Sequence, residues 1–165
     1  MELALARYVA KVSYNEVMKH HSINRTAASA TLHCLTGCAI GEVFGMIIST
    51  ALNWSAFPSI VLSIVLAFAF GYSLSILPIL RHGIAFKAAL LLVLAADTVS
   101  IAVMEVADNG FVLLVPGAIN AGLNVPLFWI SLIVSLGVAF IAAFPVNKYL
   151  IRRGKGHAIV HEFHH

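Results

Sequence analysis

His33, Cys34, Cys38 and Glu42 stand together in the stretch HCLTGCAIGE, surrounded by apolar residues. Cys34, Cys38 and Glu42 recur every fourth residue, so on a helix they form one ridge. A second run, AADTVSIAVMEVADN, carries Asp97, Glu105 and Asp108 at offsets of eight and eleven. At about 100° per residue these three also project from nearly one face. Imidazole, thiolate and carboxylate in combination suit a soft or borderline metal ion, copper or zinc, better than Mg²⁺ or Ca²⁺. Each group also has a plainer use. Buried cysteines commonly serve as inert packing, His33 could bond a carbonyl or a lipid headgroup, and Asp108, beside Asn109 and Gly110, could cap a turn. Cys34 and Cys38 lie four apart on one helix, which does not meet the geometry of a disulfide, so free thiols are expected.

These residues sit in hydrocarbon-like sequence. Of 165 residues, 61% are hydrophobic and 10% charged, and the mean hydropathy of +0.96 lies far above that of soluble domains. A bilayer core takes roughly 20 helical residues to cross. Four stretches are long enough: Ala27 to Leu52, Phe57 to Leu80, Ala85 to Ala107 and Val125 to Ile151. The expected fold is therefore all-α and polytopic: an arm over 1–26, a four-helix transmembrane domain over 27–152 and a tail over 153–165. The arm, MELALARYVAKVSYNEVMKHH, has Leu5, Val9 and Val12 near helical spacing and reads as an amphipathic helix on the membrane surface or as an exposed arm. Its charges run through the first 26 residues, unlike a cleavable signal.

All ten Lys and Arg residues fall in three places: before the first span, around the junction of spans two and three (Arg81, Lys87), or at the end of span four and beyond it (Lys148 onward). Cationic loops stay in the cytoplasm, which places both termini there, in a bacterial inner membrane, with the loops near Asn53 and Asn109–Asn124 outside. The formal charge of +3 is thus explained by topology, and no basic, aromatic surface for nucleic acid is present. The partner expected on composition is the lipid bilayer, together with further copies of the chain, since four spans alone rarely enclose a transport path.

Within the spans, Gly37, Gly41 and Gly45 form a small-residue ridge one position round from the cysteines. That ridge is expected to let spans one and three approach, making a polar column in which Cys38 is level with Asp97, and Glu42 lies between Asp97 and Glu105 in height. Gly71, Ser73 and Ser75 precede Pro78, which is expected to end span two. The segment GFVLLVPGAINAGLNVP is too apolar for a solvated loop and too broken for a span, so a short helix packed across the outer mouth, either lying on it or re-entrant, is expected. Trp129 reads as an interfacial anchor. His157, His161, His164 and His165 could collect metal at the tail.

The phrases LHCLTGCAIGEVFGM, MEVADN, VPGAINAGL, LFW and FPVNKYLIRRGKGHA, spanning about residues 29 to 157, resemble a bacterial family of small integral membrane proteins catalogued as a domain of unknown function. The resemblance implies a four-span fold. Members are sometimes described beside copper proteins, which leans toward metal.

Buried carboxyl groups cost roughly 2.5–3.5 kcal/mol each on insertion scales, and the Lys and Arg residues lie only at the span ends, too far from mid-membrane to neutralise them. Protons, hydrogen bonds or a bound cation must compensate. The leading expectation is a protein that binds and moves a cation, copper or zinc with or without coupled protons, through His33, Cys34, Cys38, Glu42, Asp97, Glu105 and Asp108. A membrane oxidoreductase or haem-binding bundle is the second; haem is disfavoured because His33 alone is even partly inside. A scaffold or accessory subunit, its acids protonated, is the third.

Overall fold

A computed structural model describes residues 23–81 and 83–153. They form four long helices: α1 (Ile23–Ala51), α2 (Ala56–Arg81), α3 (Phe86–Leu114) and α4 (Pro126–Arg152). The amphipathic arm and the histidine tail lie outside the described residues. All four helices are long and apolar enough to cross a membrane. The 26 to 29 residues of each span more than the ~30 Å of a bilayer core at about 1.5 Å per residue.

Local sequence sets the breaks. α1 ends where Asn53 adopts a left-handed φ of 52°, and the Trp54 N–H bonds back to the Ser49 carbonyl at 2.9 Å, closing the helix terminus. Gly83, with φ 78°, turns the chain between α2 and α3. Val115 is extended, as a residue before proline prefers, so α3 stops at Leu114. Gly117, at φ 82°, then leads into a single 3₁₀ turn, Ala118–Asn120. The connection therefore differs from the expected helix across the mouth: Gly110–Leu114 extends α3, and what remains is one turn. Pro78 also differs from expectation, lying inside α2, which continues to Arg81. Trp129 Nε1 donates to the Leu123 carbonyl at 2.9 Å and ties this connection to α4.

The helices alternate direction around a ring, with α1 packed most extensively on α2 and more narrowly on α3, its diagonal partner. Small residues fill the inside, including Ala67, Ala96, Ala139 and Ala143, whereas Phe57, Val106, Leu114, Ile133 and Ile141 are 69–82% exposed. Large apolar side chains outside and small ones inside is the arrangement a lipid-facing bundle needs, because close van der Waals packing replaces the hydrophobic effect between helices.

The glycine ridge of α1 does not meet α3. A Cβ on Gly37 would come within 2.6 Å of Gly71 Cα, one on Gly41 would strike the Ala67 backbone, and one on Gly45 would strike Ser63. Ser63, Ala67 and Gly71 repeat the four-residue spacing in the opposite direction, so two small-residue ridges of antiparallel helices interlock. The close approach seats α2, and the polar ridge one residue round is thereby turned toward the bundle axis.

Candidate functional site

Along that axis α1 and α3 face each other through three layers. Cys34 lies against Ser100 and Asp97. One turn on, Cys38 lies against Glu105. One turn further, Glu42 and Asp108 come within hydrogen-bonding reach of each other, with Ser135 of α4 beside Asp108. Asn109 braces the middle layer, its Nδ2 donating to the Glu105 carbonyl at 3.0 Å and to Glu105 Oε2 at 3.3 Å. Cys34, Cys38, Asp97, Glu105 and Asp108 are at most 4% exposed and Glu42 is 9% exposed. Both thiols are free.

Six of the seven candidate residues thus face one another in facing sets, shifted by about a turn from the register expected. Cys34, rather than Cys38, is level with Asp97, and Glu42 meets Asp108 instead of lying between Asp97 and Glu105. The cause is the start of α1 at Ile23, one turn earlier than Ala27, which slides its residues along the axis relative to α3. His33 stands apart: it is half-buried and is not among the groups acting on either thiol. Among the described residues, no three His, Cys, Asp or Glu side chains gather closely enough to hold a metal ion. The column is a ladder of pairs.

Among the described residues, no Lys or Arg lines its middle. The basic residues of the described chain, Arg25, Arg81, Lys87, Lys148, Arg152 and Arg153, all lie where α1 and α3 begin and α2 and α4 finish. Oxygens Glu42 Oε1, Glu105 Oε1 and Asp108 Oδ1 are buried without a hydrogen-bond partner among the described residues, as is Ser100 Oγ. Two buried carboxyl groups in reach of each other need a positive charge between them, a proton or a metal cation.

Toward the basic end the column is closed. Asn147 Nδ2 donates to Thr31 Oγ1 at 2.9 Å, both residues are almost fully buried, and Thr31 Oγ1 itself donates to the Ala27 carbonyl. Toward the other end it opens: a cavity of about 90 Å³ is lined by Glu42 and Asp108. A wider cleft of about 370 Å³ adjoins it, sharing Met46, Ala56, Ser59 and Ile119 as walls.

Sequence reasoning missed Ser100, Ser135, Asn109 and the Thr31–Asn147 latch. Asn147 was visible as an amide inside an apolar run, FPVNKY, and Ser100 as the residue one turn beyond Asp97. Met104 was missed as well. It is fully buried in the same cluster as Cys34 and Cys38.

Among known families, residues 24–156 match the model of a domain of unknown function, DUF4396. No curated protein and no solved structure matches the chain.

Proposed function

Starting from the fact that the chain belongs to the DUF4396 family, we propose that it is an integral membrane protein that binds a cation and moves it along the axial column between α1 and α3. The observation that carries this reading is the stack of facing thiol and carboxyl groups with no Lys or Arg along it among the described residues. Such a stack costs several kcal/mol in a bilayer, and a passing positive charge is what it is built to accept. The pairs hand the charge from one layer to the next, and the carboxyls replace the hydration the ion gives up. The basic end faces the cytoplasm of a bacterial cell and the vestibule faces outside, by the bias of cationic residues toward the inner leaflet. Copies of the chain associate, because four helices leave only a narrow axis.

The test is flux across liposomes containing the purified protein, read with an internal pH dye and with metal-sensitive dyes. Wild type is expected to move protons or metal, and Glu42→Gln and Asp97→Asn to reduce the rate tenfold or more while remaining helical and monodisperse. Unchanged flux in both variants would remove the column.

A second reading, in which a soft metal ion such as copper is the cargo, is favoured by the clustering of Met104 with Cys34 and Cys38, since thiolate and thioether donors select soft ions. It predicts copper-dependent dye quenching that Cys38→Ser abolishes.

A further inference from the structure

The vestibule end of the column has donors unlike those deeper in. Its innermost cavity, about 90 Å³, is well above the roughly 10–15 Å³ that one water needs. Each of the four helices puts an oxygen-bearing side chain on its wall: Glu42 from α1, Ser59 from α2, Asp108 from α3 and Ser131 from α4.

The hydroxyls of Ser59 and Ser131 are already committed as donors. Ser59 Oγ donates to the Ser55 carbonyl at 2.8 Å, and Ser131 Oγ donates to the Leu127 carbonyl at 2.7 Å. Asn109 likewise spends its amide hydrogens on Glu105. What these side chains have left to offer the cavity is lone pairs. Glu42 Oε1 and Asp108 Oδ1, on side chains that are 9% and 4% exposed, accept no hydrogen bond from a described residue. A water cluster could use one or two such acceptors, but two buried carboxyl oxygens without a partner among the described residues, on a wall where Ser59 and Ser131 already donate elsewhere, match a cation.

We propose that Glu42 and Asp108, with the hydroxyl oxygens of Ser59 and Ser131, form a binding site for a hard divalent cation of the Mg²⁺, Mn²⁺ or Ca²⁺ class, entered through the vestibule. The inference rests on the reading of the column as a cation path and names the ion class that its open end takes. Charge selects the valence. Two carboxylates in a low-dielectric pocket are neutralised by one divalent ion, whereas a monovalent ion leaves a net negative charge buried. Donor type selects hardness: the charged ligands are carboxylate oxygens, with no thiol or imidazole in the lining, which suits these ions, and a Mg²⁺-like ion binds through one or two carboxylates while keeping several waters. The two thiols lie one and two turns deeper, out of this cavity's wall, where the sulfur present is the neutral thioether of Met46, a weak ligand beside two carboxylates.

The test uses Mn²⁺ as the probe with the purified full chain in nanodiscs, reading free Mn²⁺ by its electron paramagnetic resonance signal. Wild type is expected to take up one Mn²⁺ per chain, displaced by Mg²⁺ or Ca²⁺. Glu42→Gln and Asp108→Asn should each weaken binding at least tenfold. Ser131→Ala, which removes only an intrahelical donor and so leaves the fold intact, should weaken it severalfold. Undiminished Mn²⁺ affinity in the two carboxyl variants, or no Mn²⁺ bound by folded wild type at millimolar concentration, would overturn the site. So would binding lost in Cys34→Ser but kept in Glu42→Gln. Flux that depends on Glu42 and Asp97 without any bound Mn²⁺ would sink this site and leave the conduit standing; Mn²⁺ held at Glu42 and Asp108 with no flux of any ion would uphold the site and sink the conduit.

Discussion

The face of α1 that meets α2 is made of Gly37, Gly41 and Gly45 pressed on Gly71, Ala67 and Ser63, whereas the face one residue round, Cys34, Cys38 and Glu42, meets α3 through side chains that lipid would reject. The first contact is dry, close and made largely by backbone. The second is polar and leaves Glu42 Oε1, Glu105 Oε1 and Asp108 Oδ1 buried without partners among the described residues. In a bilayer apolar side chains gain little by leaving lipid for a neighbouring helix, so cohesion must come from close packing. The α1–α2 contact supplies that cohesion, and it also fixes the rotation of α1 that keeps the polar ridge inward. One helix therefore divides its two tasks between adjacent stripes.

The largest effect is expected on the close-packed stripe. A Cβ at position 41 already collides with the Ala67 backbone, which cannot swing aside as a flexible side chain would. Gly41→Leu should exceed the about 1–3 kcal/mol usual for overpacking and leave little folded protein, measured as loss of the monodisperse peak and of helical circular dichroism. A folded, active Gly41→Leu would mean that α1 and α2 are not held as described.

On the polar stripe the expected result is the opposite combination. Glu42→Gln with Asp97→Asn removes two buried ionisable groups while keeping shape. Thermal stability should be unchanged or higher, because the desolvation burden falls, and flux should drop by a hundredfold or more if the two layers act in series. Stability lost together with flux would show that the column is structural cement.

The latch at the basic end should give an intermediate effect. Asn147→Leu deletes the bond to Thr31 while keeping bulk. The Thr31 hydroxyl still donates to Ala27, so only about 1 kcal/mol of stability should go, seen as a small decrease in melting temperature. If the latch closes the column, resting proton leak in liposomes should rise severalfold.

How much of this was legible in residues follows from what kind of signal each feature leaves. The four spans were plain, since length and apolarity are local properties and the breaks carry Asn53, Gly83, Pro116 and Gly117. The membership of Cys34, Cys38, Glu42, Asp97, Glu105 and Asp108 in one column was also readable, because buried acids must find company. The partner of the glycine ridge was not. A ridge says that some helix comes close without saying which, and the complementary Ser63, Ala67 and Gly71 are residues common in any span. The register was off by a turn because α1 starts within INRT, a stretch too polar to count as hydrocarbon sequence, although it is helical. The short connection was read as a helix because its apolar residues, Phe111–Leu114, in fact prolong α3.

The smallest expected effect isolates what the glycines of the ridge contribute by position. Gly110 lies inside α3, and a Cβ there meets nothing within 4 Å. Glycine in a helix interior costs up to about 1 kcal/mol relative to alanine through backbone entropy, so Gly110→Ala should be neutral or slightly stabilising and should leave flux untouched. Gly137, in α4, has the same open surroundings and should behave alike. Because the substitution adds the same methyl group that Gly41 cannot accept, a loss of stability at Gly110 or Gly137 comparable to that of Gly41→Ala would mean that glycine is needed for helix flexibility throughout. Tolerance at these two sites with failure at Gly41 assigns the cost to the contact with α2 itself, and with it the rotation that turns Cys34, Cys38 and Glu42 toward α3.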